Sequence, residues 1–302
     1  MPLTSFKCFI VTTAILLAFS LQINMSEAGS KKAEVKTNSP IQTSLIADGK
    51  TGEILHLHNG DVKIYPASLT KVMTLYMLFE ALESGKFSLN DKLYVSQNAT
   101  KTKPSKLHLK TGEQISVKDA ILALIVKSAN DVAVTVAENI AGSEQKFSKL
   151  MNARAKQLGM KNSFFTNASG WHHPNQVTTA IDLAKLSIAI KRDFPQYYNF
   201  FSKTNFKFKG KNINGHNRLT ASYPGAEGLK TGFTNPAGCN LITVATRNGK
   251  TLIGVVTGSS RSIHRDKKMA NLLDQHFGIK KDPLKTKKAL KNKVKIASNK
   301  TR

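Results

Sequence analysis

Three short polar motifs could together form a nucleophilic site. In chain order they are Ser68-Leu69-Thr70-Lys71, Ser128-Ala129-Asn130 and Lys230-Thr231-Gly232. Residues three apart lie on one face of a helix, so Lys71 can hold its amine beside the hydroxyl of Ser68. A serine becomes a good nucleophile when a base takes its proton, and lysine can act as that base when burial or nearby cations lower its pKa. The motifs therefore predict a serine acyl-transferase.

The segment around Ser68 favours the burial that this chemistry needs. Tyr65-Pro66-Ala67 leads into the serine, and residues 72–79 are mostly apolar, which predicts a helix packed inside a domain. We expect this helix to begin at Ser68 and to run to about Ser84, where Gly85 ends it. The amine of Lys71 would then be shielded from water, which lowers its pKa.

The order and context of the motifs matter more than any one tripeptide. Lys110-Thr111-Gly112 is a second copy of the third motif and lies between the first two. Its surroundings are polar and precede a predicted helix start, so we interpret it as a surface turn. Residues 227–233, in contrast, lead into an apolar hairpin.

The motifs and their surroundings resemble the low-molecular-mass D-alanyl-D-alanine carboxypeptidases of the penicillin-binding-protein type, which are serine peptidases of bacterial cell walls. The resemblance covers roughly Thr43 to Phe277, including residues 122–131, 141–144, 150–152 and 237–241. It implies an α+β fold like that of β-lactamases and penicillin-binding-protein transpeptidases. It also implies that peptidoglycan stem peptides are the substrates and that the protein takes part in peptidoglycan synthesis, cell wall biogenesis and cell shape.

The same resemblance implies a role for each motif residue. Ser68 attacks the carbonyl between the last two D-alanines of a stem peptide, and Lys71 accepts its proton. Ser128 relays a proton toward the departing amine, while Asn130 hydrogen-bonds the substrate backbone and holds the lysine in place. Backbone N–H groups of Ser68 and Phe233 hold the developing oxyanion.

Cations are expected beside the terminal carboxylate of the substrate. By the resemblance, Lys230 supplies positive potential, and Thr231 and Arg265 bind the carboxylate, because arginine offers paired donors to such a group. Arg265 is placed there by its alignment after residues 255–258, and the alternative is an ordinary surface residue of a helix. Arg218 is a weaker candidate for the same role.

Strand patterns near both ends of the chain predict a central sheet. Residues 43–47 and 53–57 read as one strand pair across a turn. Gly238 to Ala245 and Lys250 to Thr257 read as a hairpin, because Asn248-Gly249 between them is a strong turn signal. These strands predict a mainly antiparallel sheet.

A third strand should carry Lys230-Thr231-Gly232 and form one wall of a cleft. Gly232 would let a peptide approach the backbone closely, and an extended peptide could add alongside as a further strand.

Helices are predicted on both sides of this sheet and in a separate all-helical subdomain. Ser116 with Asp119 and Thr179 with Asp182 resemble capping boxes, and Ser143 is a plainer N-cap. The second motif is expected at a junction between helices. A closing helix from about Ser262 to His276 should pack on the sheet, which leaves the cleft between the sheet and the subdomain.

The ends of the chain predict export and a solvated tail. Lys7, the mostly apolar run from Phe9 to Leu21 and the small residues near Ala28 indicate a signal peptide of residues 1–28, cleaved after Ala28. An uncleaved anchor is the alternative, but the apolar run is shorter than the roughly 20 residues that span a bilayer. We expect a linker at 29–40, a catalytic domain at 41–278 and a basic tail at 279–302, in the periplasm or at the cell exterior.

The net charge of +26 raises nucleic acid as a partner. Export and the absence of an aromatic and basic binding motif argue against it, so we expect no nucleic-acid binding. Ten basic residues lie between Lys280 and Arg302. Such a run is usually solvated, and the alternative is attraction to an anionic membrane or wall polymer, worth about 1 kcal/mol per basic residue.

Cysteine and histidine give no sign of further chemistry. Cys8 would leave with the signal peptide, so Cys239 would remain without a disulfide partner, and its apolar strand context indicates a buried structural thiol. Trp171-His172-His173 is interpreted as a loop at the cleft rim, because adjacent histidines rarely point at one metal ion. The resemblance implies neither a metal nor a cofactor.

Three other functions stay open. An endopeptidase that cuts peptidoglycan cross-links would use the same residues on a different leaving group. A β-lactamase needs a further acid or base for deacylation, and no matching loop glutamate is found, so penicillin should acylate Ser68 and leave slowly. A non-catalytic cationic protein that binds wall polymer is the third alternative.

Overall fold

The computed structural model describes residues 39–279. The predicted signal peptide, nearly all of the linker and the basic tail from residue 280 onward lie outside the described residues. Within 39–279, no helix has both the length and the apolar character needed to cross a membrane.

A five-stranded antiparallel sheet forms the centre of the fold. Its strand order is β2-β1-β9-β8-β7, so β2 and β7 are its edges. The described residues form the strands β1 (Thr43–Asp48), β2 (Ile54–His58), β3 (Lys92–Tyr94), β4 (Gln114–Ser116), β5 (Asn205–Phe208), β6 (Lys211–Asn214), β7 (Ala226–Thr234), β8 (Gly238–Arg247) and β9 (Lys250–Ser259).

The predicted strand pairs are confirmed. β1 and β2 pair antiparallel, with Leu45 opposite Leu57. β8 and β9 form the predicted hairpin, and its turn residues Asn248 and Gly249 have φ of 50° and 75°. Positive φ at both positions is what a tight hairpin turn requires, which explains the Asn-Gly pair.

Helices cover both faces of the sheet. They are α1 (Lys71–Glu83), α2 (Gln97–Thr100), α3 (Val117–Leu122), α4 (Asn130–Ala141), α5 (Glu144–Gln157), α6 (Ala180–Asp193), α7 (Pro195–Tyr198), α8 (Arg218–Ser222) and α9 (Ser262–His276). The closing helix α9 has the predicted bounds and packs on β8 and β9 from one side, whereas α6 packs on β9 and β1.

All three predicted N-caps are present. The side-chain oxygens of Ser116, Thr179 and Ser143 each accept a hydrogen bond from the backbone N–H three residues further on. Each satisfies one of the donors that a helix start leaves without an intrahelical partner. The helices α3, α6 and α5 therefore begin where the sequence predicts.

The helix α1 lies at the centre of the hydrophobic core. Eleven of its residues are buried, Lys71 among them. A helix that is apolar on nearly all sides is stable only when other elements surround it, and α1 contacts α4, α5 and α6 as well as β7. The nucleophile turn at its start is thus held by a helix that is buried in the core.

Two expectations about the helical part need correction. Ser68 does not start the α-helix: Ala67–Thr70 form a 3₁₀ turn, and α1 begins at Lys71. The predicted subdomain is not all-helical, because β3 and β4 form a two-stranded sheet within it. These strands have three residues each, too few for an alternating pattern to appear in the sequence.

Candidate active site

The three motifs line one cavity of about 730 Å³. Such a volume is typical of a small-molecule or peptide site. Ser68, Ser128, Asn130 and the stretch Thr231 to Phe233 contribute to its wall. Elements far apart in the sequence therefore meet where the predicted cleft lies, between the sheet and the helical region.

Ser68 and Lys71 are in contact. The Nζ of Lys71 lies 3.0 Å from the Oγ of Ser68. In a 3₁₀ turn, side chains three residues apart lie directly above one another. The turn at 67–70 therefore aligns the side chains of Ser68 and Lys71. Serine and lysine are thereby placed as a nucleophile with its base.

The amine of Lys71 has two further partners. Its Nζ lies 2.7 Å from Oδ1 of Asn130 and 2.6 Å from the carbonyl oxygen of Ser169. Both are acceptors only, so each requires an N–H from the lysine. A neutral amine has two N–H groups and one lone pair, and these two acceptors use both N–H groups. In the protonated amine a third N–H points to the Oγ of Ser68, and in the neutral amine the lone pair takes its place and can accept the hydroxyl proton.

Burial favours this neutral form. Lys71 is fully buried, and burial, followed by the positive charge of Lys230, holds the pKa of its amine well below the ordinary value. Asp131 and Glu144 act in the opposite direction and raise the pKa of Lys71. The lysine is therefore poised to accept a proton.

The second motif lies at a helix junction, as predicted. A π-helical turn, Ala123–Lys127, ends at Ser128, which adopts a left-handed conformation with φ of 59°. π turns and left-handed non-glycine residues concentrate at functional sites. The turn lets α4 begin at Asn130 in a new direction, and it places Ser128 in the cavity wall.

Asn130 accepts a hydrogen bond from Lys71 and is fixed by hydrogen bonds to the segment at residues 103–105. Its Nδ2 donates to the carbonyl of Lys103 at 2.8 Å, and its backbone N–H donates to Ser105 at 2.7 Å. Oδ1 of Asn130 is used by Lys71, so one N–H of Nδ2 is left for a ligand in the cavity. The side chain can thus serve the lysine and a substrate at once.

The third motif lies on the edge strand β7. Thr231 and Phe233 line the cavity, and in an edge strand every second residue turns its backbone groups away from the sheet. Phe233 is also 60% exposed. An extended ligand can therefore lie along this edge.

Lys230 lies behind the cavity wall. It is 1% exposed, and its Nζ donates to the carbonyl of Thr231 at 2.9 Å. Burial, followed by the charge of Arg265, lowers the pKa of Lys230 to about 7. Its positive potential therefore acts through the wall and weakens as the pH rises.

Gly232 is required for a reason that the sequence prediction missed. A Cβ at this position would lie 3.0 Å from the carbonyl oxygen of Pro66 and 3.1 Å from the backbone nitrogen of Ser68. The close approach is thus between β7 and the nucleophile turn, and not primarily between β7 and a substrate. A side chain here would push these two segments apart by a few tenths of an ångström.

Asn240 was not predicted as a site residue. Its Nδ2 donates to the carbonyls of Tyr65 and Pro66 at 3.0 and 3.3 Å, and its Oδ1 accepts from the backbone N–H of Gly258 at 2.9 Å. It therefore fixes the residues before Ser68 to the sheet. The sequence gives no local signal for this, because the partners lie about 175 residues away.

A half-buried carboxylate supports the loop whose carbonyl binds Lys71. Glu144 accepts from the backbone N–H of Ala168 at 2.9 Å, and the hydroxyl of Thr74 donates to the carbonyl of Ala168 at 2.6 Å. These contacts fix the loop whose next residue, Ser169, accepts from Lys71. The sequence indicated Glu144 only as a helix-start residue.

Arg265 is 4% exposed and lines the cavity, so its interpretation as an ordinary surface residue is wrong. Arg218 lines the same part of the cavity. Two guanidinium groups therefore face the space beside Thr231.

The remaining sequence features have mixed outcomes. Trp171 lies at the cavity rim and is 47% exposed, as the loop prediction requires. Cys239 is buried, but it also contributes to the cavity wall opposite Phe233 in the sheet register. The second copy of the tripeptide, Lys110-Thr111-Gly112, is exposed and leads into a turn, in agreement with the prediction.

Comparison with known proteins relates this cavity to one enzyme family. The family model for D-alanyl-D-alanine carboxypeptidases matches residues 29–261. The chain is 31% identical to the D-alanyl-D-alanine carboxypeptidase DacF of Bacillus subtilis, over 95% of this chain and 74% of the relative.

Solved structures show the same relationship. Penicillin-binding protein 5 from Haemophilus influenzae is 36% identical and superposes with a TM-score of 0.76, over 80% of this chain and 71% of that one. Penicillin-binding protein D2 from Listeria monocytogenes, solved in its ampicillin-bound form, is 32% identical with a TM-score of 0.68, over 80% of this chain and 97% of that one. The fold expected from the sequence is therefore confirmed.

Proposed function

This chain belongs to the D-alanyl-D-alanine carboxypeptidase family, and we propose that Ser68, Lys71 and Ser128 carry out its reaction on peptidoglycan stem peptides. It is a serine peptidase that removes the terminal D-alanine. The observation that carries the assignment of residues is the 3.0 Å contact between Oγ of Ser68 and the fully buried amine of Lys71, which Asn130 and Ser169 also hold.

Acylation begins with proton transfer from Ser68 to Lys71. As Oγ of Ser68 attacks the carbonyl carbon between the two terminal D-alanines, the lone pair of Nζ takes the hydroxyl proton. The developing oxyanion lies between the backbone N–H groups of Ser68 and Phe233. Fixed donors of this kind stabilise the transition state by about 2.7–4 kcal/mol each.

Collapse of this intermediate breaks the peptide bond. The proton held by Lys71 passes through the hydroxyl of Ser128 to the departing amine, so D-alanine leaves in neutral-amine form and an ester remains on Ser68. Water then attacks the ester, giving one proton to Lys71 and releasing the shortened peptide. The returning proton restores the hydroxyl of Ser68, so the cycle is balanced.

β-Lactams should enter the same cycle and stop at the ester. No Asp or Glu is among the described residues that line the cavity. Glu144 lies behind the Ser169 loop and is occupied by Ala168. A β-lactamase of the class A type uses a glutamate to activate the deacylating water, so a long-lived penicillin adduct is expected here, and the β-lactamase alternative is disfavoured.

The substrate experiment compares two peptides that share the reacting carbonyl. A linear pentapeptide ending in D-Ala-D-Ala should release free D-alanine, and Ser68→Ala should abolish the release. A cross-linked dimer of stem peptides should be cut far more slowly. Faster cleavage of the dimer than of the pentapeptide would instead assign the endopeptidase function.

The place of action follows from the substrate. We place the enzyme outside the cytoplasmic membrane, with residues 1–28 as a cleaved signal peptide, residues 41–278 as the catalytic domain and the basic residues 279–302 in peripheral contact with an anionic membrane or wall polymer. N-terminal sequencing of the exported protein should begin at Gly29. A mature protein that begins at Met1 would contradict the cleavage.

A further inference from the structure

Asp266 lies against both arginines of the cavity. Its Oδ1 accepts hydrogen bonds from Nε and Nη2 of Arg265 at 2.9 and 2.6 Å. Its Oδ2 accepts from Nη2 of Arg218 at 3.3 Å. Asp266 is only 8% exposed, whereas both arginines line the cavity. The carboxylate of Asp266 thus contacts both guanidinium groups on the side away from the cavity.

Helical geometry explains how one aspartate reaches both. Ser262 and Asp266 are four residues apart and share one face of α9. Nη2 of Arg218, the first residue of α8, donates to Oγ of Ser262 at 2.9 Å and to Asp266 on this same face. Arg218 is therefore docked on α9 beside Arg265, although the two arginines are 47 positions apart.

The arginines keep donors and charge for a ligand. Three of the five N–H groups of Arg265 are used: two on Asp266 and one on the carbonyl of Asn240 at 3.3 Å. Two N–H groups on its terminal nitrogens remain. Two guanidinium cations share one carboxylate, which leaves one net positive charge at this end of the cavity. A ligand carboxylate would accept hydrogen bonds from these free N–H groups and neutralise the remaining positive charge.

We propose that Asp266 is a positioning residue that holds Arg218 and Arg265 as a two-armed clamp for the free C-terminal carboxylate of the substrate. The inference rests on the proposed function, because it assigns a positioning residue to the carboxylate end of the same cavity. Asp266 itself touches no substrate. It acts through the two guanidinium groups.

Binding can be measured without catalysis. Trp171 is the only tryptophan of the chain and lines the cavity, so its fluorescence should report occupancy. In a Ser68→Ala background, acetyl-D-Ala-D-Ala is titrated as the free acid and as its C-terminal amide. The ratio of the two dissociation constants measures recognition of the carboxylate alone.

Asp266→Asn should lower this discrimination by about tenfold, because the variant loses the charge-assisted hydrogen bonds that hold both guanidinium groups in place. Loss of the negative charge would by itself strengthen binding of the acid, so a fall in discrimination reports positioning. In the active enzyme, KM for the free acid should rise by a similar factor while kcat changes little. Asp274→Asn is the matched control. Asp274 lies on the same helix, but it accepts from the hydroxyl of Tyr223 at 3.0 Å and does not line the cavity.

The outcomes separate the explanations. A loss of thermal stability in Asp266→Asn with unchanged discrimination would mean that Asp266 only pins α8 to α9, and the clamp would be wrong. Arg218→Gln removes the guanidinium group of a largely exposed side chain and must also lower the discrimination between acid and amide. If Asp266→Asn does not fold, Arg218→Gln provides the test in its place. If the Ser68→Ala protein binds acid and amide equally, the clamp fails. If wild-type protein binds the acid selectively but releases no D-alanine, the proposed function fails instead.

Discussion

The backbone of Ser68 lies against Gly232, so closely that a Cβ between them would be crowded. A Cβ on Gly232 would lie 3.1 Å from the nitrogen of Ser68 and 3.0 Å from the carbonyl oxygen of Pro66. These are backbone atoms of a turn at the start of the buried helix α1, so they cannot move aside cheaply. The position of the nucleophile relative to β7 is therefore set by this glycine.

Gly232→Ala should consequently slow acylation of Ser68. A displacement of about 1 Å between reacting groups can cost about 100-fold in rate. The added Cβ requires a shift of a few tenths of an ångström, so we expect a fall of a few fold in the second-order rate of penicillin acylation. The control is Gly112→Ala in the second Lys-Thr-Gly copy, where no atom lies within 4 Å of the added Cβ and the φ of 85° puts the strain of the variant in a surface turn. That variant should acylate at the wild-type rate, and equal rates in both variants would contradict the packing argument.

Two charges near Lys71 have opposite effects on its pKa. Removing one or the other should therefore shift the acid limb of the pH profile for acylation in opposite directions. Lys230 lowers the pKa of Lys71 and Glu144 raises it. Lys230→Gln should therefore raise the pKa of Lys71 and move the limb to higher pH, and Glu144→Gln should lower this pKa and move the limb to lower pH.

The profile is read from the rate of penicillin acylation between pH 5 and 9. Glu144→Gln keeps an acceptor for the N–H of Ala168, so its effect reports charge. Glu53→Gln, in the exposed turn before β2, is the matched control and should leave the limb in place. Shifts of the same sign in the two test variants would show that Lys71 is not the titrating base.

Burial of Lys230 should make the protein less stable toward neutral pH. The folded-state pKa is about 7, below the value near 10.5 of an unfolded chain. Between these pH values the unfolded state binds more protons, so the free energy of unfolding rises with pH. One such group contributes a slope of about 1.4 kcal/mol per pH unit.

Lys230→Met should remove that slope. Urea unfolding at pH 7.5 and 9.5 should show the variant to be more stable than wild type at pH 7.5, with the advantage shrinking at pH 9.5. Lys149→Met, at an exposed lysine of α5, is the comparison. A variant whose stability changes with pH as steeply as that of wild type would contradict the assignment of Lys230 as a buried titrating group.

The backbone of Phe233, rather than its ring, should matter for the oxyanion. Phe233→Ala should keep the acylation rate within a few fold. Phe233→Pro removes the N–H and should lower the rate by about 10²–10³, the usual cost of one oxyanion donor. Proline is tolerated on an edge strand where the N–H faces away from the sheet, so thermal denaturation should show a folded variant. A folded proline variant with full activity would exclude this N–H as a donor.

The sequence predicted those parts of the site that depend on local spacing. Ser68 and Lys71 are three residues apart, and the Asn248-Gly249 turn fixes a hairpin, so each relation is encoded in a short segment. The contacts of Lys71 with Ser169, of Asn240 with Tyr65 and of Asp266 with Arg218 join distant segments. No local pattern reports such contacts, because they exist only once the sheet and helices have packed.

The central claim is that Ser68 forms an acyl-enzyme with Lys71 as its base, and intact-mass analysis tests it most directly. The mature protein is mixed with penicillin, and D-alanine release from a pentapeptide is followed in a parallel reaction without penicillin. We predict a mass increase of one penicillin molecule that persists for hours, D-alanine release by the wild type, and neither result for Ser68→Ala. An adduct of undiminished yield on Ser68→Ala, or no adduct on the wild type, would contradict the account.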